Sequence, residues 1–210
     1  MSDKPKIMTV YGTRPEAIKV APVVSALQDD DRFESVVVST GQHREMLEQV
    51  NKRFGITPDH DMALMKPGQT LNELVARAIR GLDPIIEEEQ PDVIISQGDT
   101  STAMVAALAG FHKGVKIVHL EAGLRTGNIF SPFPEEANRK IIGQIASLHL
   151  APTNESRENL RRENFRSKDI VVTGNTVIDA LLAASEWDVK FEDPRLEELR
   201  NSDEKLVLVT

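Results

Sequence analysis

The chain reads as an α/β protein built on a doubly wound parallel sheet. Runs of apolar, β-prone residues alternate with stretches of helical spacing along nearly the whole sequence, the pattern of repeated βαβ units. Hydrophobic residues make up 40% of the chain and aromatics only 4%. The implied core is therefore aliphatic, as suits strands buried on both faces. Four strands also run directly into polar signatures: Gly12-Thr13-Arg14-Pro15-Glu16, Gly41-Gln42-His43-Arg44-Glu45, Gly98-Asp99-Thr100 and Glu121-Ala122-Gly123-Leu124-Arg125. Parallel strands of an open sheet end along one edge, and ligands bind in the crevice there.

The elements follow in order. Ile7 to Tyr11 is a buried strand, and Pro15 opens a helix, since proline suits the first helical turn. Ile18, Ala21, Val24 and Leu27 give that helix its apolar face, with Pro22 expected to kink it or loosen its first turns. Ser35 to Thr40 is a second strand, and His43 to about Arg53 a helix closed by Gly55. Residues 56–69 carry two prolines and no sustained period, the mark of a loop with at most a short extended piece. Leu71, Leu74, Val75, Ala78, Ile79 and Leu82 recur at helical spacing, with Pro84 expected to bend or restart that helix. Asp92 to Ser96 and Val115 to Leu120 are strands around a helix from Thr100 to His112. After a loop holding Pro132 and Pro134, a helix runs from about Glu135 to Ser147. Leu148 to Ala151, Asn154 to Asn164, Asp169 to Thr173 and Thr176 to about Trp187 continue the alternation.

At 210 residues the length fits one α/β domain plus an extension. We place that domain at residues 1–185. Residues 186–204 read as a charged, solvated linker, because eight acids and four bases lie between Glu186 and Lys205. Lys205 to Thr210 reads as the first strand of a second domain absent from this chain. The net charge of −8 argues against nucleic acid as a partner, which calls for a concentrated basic face. With no cysteine, disulfides, thiolate metal sites and a thiol nucleophile are excluded. Met1 to Lys6 lacks the apolar core of a signal peptide, and no apolar run reaches membrane-spanning length. A cytoplasmic protein without a membrane partner is expected.

The candidate chemistry lies on the strand ends. Arg14 stands where a helix N-terminus already favours an anion, with Lys19 about a turn further on; Thr13 and Glu16 beside it read as a capping box. Asp99 and Glu121 each follow a strand directly. Two carboxylates sharing a partly desolvated pocket diverge in pKa, so that one serves as acid and the other as base. Asp99 also has a plainer reading, as a cap for the helix starting at Thr100. Glu135 and Glu136 open a helix behind a proline-rich loop, and Glu135 with Arg139 is equally an i,i+4 surface pair. Gln42 and His43 could recognise a ligand. His119, inside an apolar strand, reads as a packed core residue. No metal-ligand spacing is present among the histidines.

Taken together, Gly12-Thr13-Arg14-Pro15-Glu16-Ala17, Gln42-His43-Arg44-Glu45, Gly98-Asp99-Thr100, His119-Leu120-Glu121-Ala122-Gly123-Leu124-Arg125-Thr126, Pro134-Glu135-Glu136-Ala137-Asn138-Arg139 and Gly174-Asn175-Thr176 occur in an order that resembles the bacterial non-hydrolysing UDP-N-acetylglucosamine 2-epimerases. The resemblance runs along essentially the whole chain, as the N-terminal half of such an enzyme. It implies a GT-B architecture, with the active site between two Rossmann-like domains, and a homodimer. It implies interconversion of UDP-N-acetylglucosamine and UDP-N-acetylmannosamine through loss of the C2 proton and UDP, followed by re-addition, with no cofactor and no metal. On the same ground Asp99, Glu121 and Glu135 match catalytic carboxylates, and Arg14, Lys19 and Arg139 match the substrate-binding cations. Gln42 and His43 match an allosteric position of some relatives, where Glu45 here replaces a second Gln and Gly68 stands near a later Arg. A hydrolysing epimerase releasing N-acetylmannosamine, a non-catalytic sugar-nucleotide-binding domain and a generic glycosyltransferase are the competing readings.

Overall fold

A computed structural model describes residues 4–41, 44–202, 205 and 207. Its centre is a seven-stranded sheet, every pairing parallel, in the order β3-β2-β1-β4-β5-β6-β7. The strands are β1 (Lys6–Tyr11), β2 (Glu34–Ser39), β3 (His60–Asp61), β4 (Val93–Gln97), β5 (Lys116–Leu120), β6 (Leu148–Ala151) and β7 (Ile170–Val172). The helices are α1 (Arg14–Gln28), α2 (Arg44–Phe54), α3 (Leu71–Glu89), α4 (Ser101–His112), α5 (Glu135–Ile145), α6 (Asn154–Arg162), α7 (Thr176–Ser185) and α8 (Pro194–Arg200).

Alternation along each strand explains the two helical layers. Met8, Val10, Val36, Val38, Ile94 and Ile117 join the apolar face of α3 (Leu74, Ala78, Leu82, Ile86) together with α4 and Ile142 of α5. Tyr11, Val37 and Ile95 point the other way, into α1 (Ala17, Val20, Val24) and Leu47 of α2. Each fully buried Leu or Ile contributes about 1.5–3 kcal/mol by leaving water. A smaller cluster, Ala122, Ala151, Leu160 and Ile170, lies under α6.

Local signals set the helix ends. Thr13 with Glu16 and Thr70 with Glu73 form complete capping boxes. Gly55 closes α2 in a left-handed turn, with Ile56 N–H bonding back to Asn51 O at 2.8 Å, the Schellman pattern. The helix does not restart at Pro84: α3 continues through it, as α1 does through Pro22. Each proline forfeits one backbone hydrogen bond, and the buried residues on either side hold the helix to the sheet regardless. The short extended piece expected within the loop at 56–69 is the two-residue strand β3.

The chain forms two compact units, Met1–Ala180 and Leu181–Thr210. The second contains α8, capped by Asp193, whose side chain accepts from Arg195 N–H. Of the strand expected at residues 205–210, all but Lys205 and Val207 lie outside the described residues.

What positions the site is the reversal in strand order. From β1 the chain builds outward to β2 and β3, then crosses back to β4 on the other side. The helices after β1 and β4 therefore leave from opposite faces and open a crevice between the two strand ends. Gly12 to Arg14 and Gly98 to Asp99 occupy that position.

Candidate active site

The turn after β1 is held by a carboxylate that never reaches solvent. Glu16 accepts from Gly12 N–H at 2.9 Å and Thr13 N–H at 2.7 Å through Oε2, and from the Thr100 hydroxyl at 2.6 Å through Oε1. Burial pushes its pKa up against the opposing pull of these bonds. The predicted cap is thus also a strut, tying the β1 turn to the β4 turn. Beside it Arg14, the first residue of α1, is exposed. Among the described residues its guanidinium has no hydrogen bond or ion pair.

Lys19, one turn further along α1, reaches across to Glu121. Its ammonium lies 2.8 Å from Oε1 and 2.6 Å from Oε2. Glu121 directly follows β5 in a left-handed conformation, φ 64°, which turns its side chain out of the strand's alternation. Gln97 Nε2 donates to Oε2 at 2.6 Å and Asn175 Nδ2 to Oε1 at 3.0 Å. Side chains from α1, β4 and the turn before α7 therefore share one carboxylate.

Asp99 is met by Arg139 of α5, whose Nε and Nη2 both donate to Oδ2, at 2.9 and 2.5 Å. The remaining guanidinium nitrogen, Nη1, donates at 3.0 Å to Glu136, a fully buried residue whose other oxygen accepts from Gly127 N–H at 3.2 Å. Burial pulls the Arg139 pKa down, but the bonds and charges of Glu136 and Asp99 outweigh it and the net shift is upward. The i,i+4 alternative for Glu135 and Arg139 is overturned, because the fork is taken by Asp99 and Glu136. Glu135 opens α5 half-buried, and among the described residues its carboxylate has no hydrogen bond or ion pair.

The Asp99 and Glu121 turns are themselves joined. Gly98 N–H donates to Leu120 O at 2.9 Å, and Asn138 Nδ2 donates to Asp99 O at 2.8 Å. Gly98 has φ 71°, a conformation glycine adopts without penalty. A Cβ there would lie 3.7 Å from Glu121 Oε2, so the turn passes directly against that carboxylate.

The structure thus brings four predicted residues into two ion pairs, Lys19 with Glu121 and Asp99 with Arg139, and among the described residues leaves Arg14 and Glu135 unengaged. Gln42 and His43 lie outside the described residues. Arg125, from the same motif as Glu121, holds Glu163 at 2.9 and 2.8 Å, with Lys140 at 2.8 Å. This pins the Glu163 carboxyl at about 2 and is a structural tie. Sequence reasoning gave no specific role to Gln97, Glu136, Asn138 or Asn175, naming Glu136 only with Glu135 at the opening of its helix. The last three sit inside the quoted motifs, which was the available signal. Gln97, the last residue of an apolar strand, gave none.

A cavity of ≈ 370 Å³ opens at the ends of β2 and β3, lined by Ser39, Asn51 and Asp61 among others, and does not include Asp99 or Glu121. Among the described residues no three or more of His, Asp and Glu are grouped to hold a metal ion, and no helix is long and apolar enough to cross a membrane.

Fold and rim together define a Rossmann-like α/β domain whose strand ends carry paired carboxylates and cations. The family model described as UDP-N-acetylglucosamine 2-epimerase matches residues 25–210, and the chain belongs to that family. It is 50% identical over 210 residues to the UDP-N-acetylglucosamine 2-epimerase of Yersinia pestis, covering 98% of this chain and 56% of that protein. Among solved structures, the UDP-GlcNAc 2-epimerase of Neisseria meningitidis bound to UDP-GlcNAc superposes with a TM-score of 0.84 at 48% identity, over 86% of this chain and 49% of that one. The Methanocaldococcus jannaschii UDP-GlcNAc 2-epimerase in complex with UDP-GlcNAc and UDP gives 0.81 at 30% identity, over 87% and 51%. The chain spans about half the length of the curated relatives it matches.

Proposed function

We propose that this chain forms the carboxylate-bearing half of a UDP-N-acetylglucosamine 2-epimerase, one side of a GT-B cleft. In this reading residues 1–185 make the domain, 186–204 the linker, and 205–210 open the second domain. Base removal of the C2 proton, with the C1–O electrons leaving on UDP, gives a 2-acetamidoglucal. Re-addition of the UDP oxygen at C1, with a proton delivered to the other face of C2, inverts that centre. The step asks for a positioned acid and base and for positive charge at the departing diphosphate. Glu135, without a partner among the described residues, suits the proton transfer. Asp99 and Glu121, each held by fixed donors, suit the recognition and charge placement of the sugar. Arg14 and Lys19 stand at the N-terminus of α1, where a diphosphate is favoured.

The observation that carries this reading is the joining of the Asp99–Arg139 and Lys19–Glu121 pairs across one sheet edge through Gly98. The test is a UDP and UDP-N-acetylglucosamine titration of the ¹⁵N-labelled 210-residue chain, together with an assay for conversion. We expect weak binding with shifts at Arg14, Lys19 and Asp99, and no turnover. Shifts confined to other edges would overturn the site, and turnover by this chain alone would overturn the assignment of half a cleft. Free N-acetylmannosamine appearing with equimolar UDP would point instead to the hydrolysing outcome. A homodimer is the expected assembly, checked by sedimentation, and the cytoplasm the expected compartment.

A further inference from the structure

His119 occupies the fourth position of β5 and is 1% exposed. Its Nε2 lies 2.7 Å from the carbonyl oxygen of Gly98. A carbonyl can only accept, so Nε2 carries the proton and Nδ1 is left as a bare acceptor. That Nδ1 is buried and, among the described residues, has no partner. As a core residue this ring is a poor choice, since an orphaned buried polar atom costs about 1–3 kcal/mol. An aliphatic side chain in its place would leave the Gly98 carbonyl orphaned instead.

The position of that carbonyl is the point. Gly98 is bonded through its N–H to Leu120 and through its C=O to His119, the two residues immediately before Glu121. The peptide so fixed is the one that leads into Asp99. With Asn138 holding the next carbonyl, the main chain at Gly98 and Asp99 has three of its polar groups tied down beside the Glu121 carboxylate. The geometry points to His119 as a positioning residue: it fixes the Gly98–Asp99 peptide and so sets the place of the Asp99 carboxylate relative to Glu121. This rests on the epimerase reading for its consequence, though not for the contact itself. Burial holds the His119 pKa down at about 4, so the ring stays neutral and its tautomer constant at neutral pH.

Two variants separate positioning from packing. His119→Gln can place its amide nitrogen near the position of the ring Nε2 and still donate; His119→Leu cannot. In the 210-residue chain, His119→Leu is expected to lose amide-exchange protection at Gly98 by about tenfold, equivalent to 1.4 kcal/mol. It should also narrow the affinity gap between UDP-N-acetylglucosamine and UDP, leaving UDP affinity unchanged, and His119→Gln should recover both. Equal thermal losses in the two variants, with Gly98 protection and the affinity gap untouched, would return His119 to the core. Should His119→Leu not fold, long-range ¹⁵N–¹H spectra of the parent ring decide: the Nε2–H tautomer supports the assignment, and Nδ1–H overturns it. If the parent shows no preference for the sugar nucleotide, the epimerase reading fails, while the exchange and tautomer results still judge the contact.

Discussion

Arg139 grips Asp99 by one oxygen only: Nε and Nη2 converge on Oδ2 at 2.9 and 2.5 Å. Its third nitrogen is committed to the buried Glu136 at 3.0 Å. One cation thus stands between two carboxylates, and the second oxygen of Asp99 is not drawn into the fork. The arrangement holds Asp99 in place and leaves Oδ1 available to a ligand.

Removing that cation should be expensive. Arg139→Ala leaves Glu136 charged in the interior, and breaking a buried pair costs about 3 kcal/mol or more. For a chain of this size that is a fall of roughly 6–12 °C in melting temperature. Glu136→Gln in the same chain should recover much of the loss, because it removes the stranded charge. Thermal melts of the two single variants and the double variant check this. A fall no larger than that of Arg14→Ala would refute it.

The framework was legible because apolar periodicity and strand-end residues are local features. Tyr11 to Arg14 and Gln97 to Asp99 announce strand, turn and helix within a few positions, and from there the parallel order follows. Glu16 was legible as a cap, yet its bond to the Thr100 hydroxyl, 84 positions away, has no local sign. The same holds for Glu121, whose donors come from positions 19, 97 and 175. Glu136 was hidden by Glu135: adjacent acids on a helix differ only in which way the helix turns them, and that is decided by packing.

Lys19 is shared between two anions in the proposed function. With both Glu121 oxygens within 2.8 Å of its ammonium, a diphosphate must compete for it. Glu121→Gln should therefore tighten UDP binding at low salt by about threefold to tenfold, or roughly 1 kcal/mol, and Lys19→Ala should weaken it by a similar factor. Calorimetry across a salt series checks both, since the effects should shrink as salt rises. Unchanged affinity in the two variants would remove Lys19 from the diphosphate site.

Gly123 carries a second local constraint on the same loop. It has φ 91°, and a Cβ there would overlap the Ser156 backbone, with its carbonyl carbon only 2.8 Å away. Backbone cannot rotate aside as a side chain can. Gly123→Ala should cost about 2–3 kcal/mol, combining the strain of positive φ with displacement of α6. Denaturant unfolding measures it. A loss below about 0.5 kcal/mol, the range of ordinary surface changes, would mean that the start of α6 yields freely.

Acid should destabilise the chain in two successive windows. His119 is held neutral, by burial first and then by the neighbouring charges of His149, Arg125 and Arg139, at about 4 against an ordinary 6.5. The unfolded chain therefore takes up this proton first as pH falls. Its contribution is complete above 6.5, drains away down to about 4, and amounts to about 3 kcal/mol at most. His149, lowered mainly by burial, acts in the same sense. Glu163, held at about 2 by Arg125 against an ordinary 4.5, acts later. Its stabilisation is complete above 4.5 and is lost as pH falls toward 2. Glu16 opposes both, since burial raises its pKa and favours the protonated folded form as pH drops. Denaturant unfolding from pH 7.5 to 3 should show stability level down to about 6.5 and falling below it. His119→Gln should flatten the limb between 6.5 and 4, and Glu163→Gln only the part below 4.5. A His119→Gln slope equal to the parent's between 6.5 and 4 would mean that the ring is already charged in the folded chain, against its bond to the Gly98 carbonyl through a neutral tautomer.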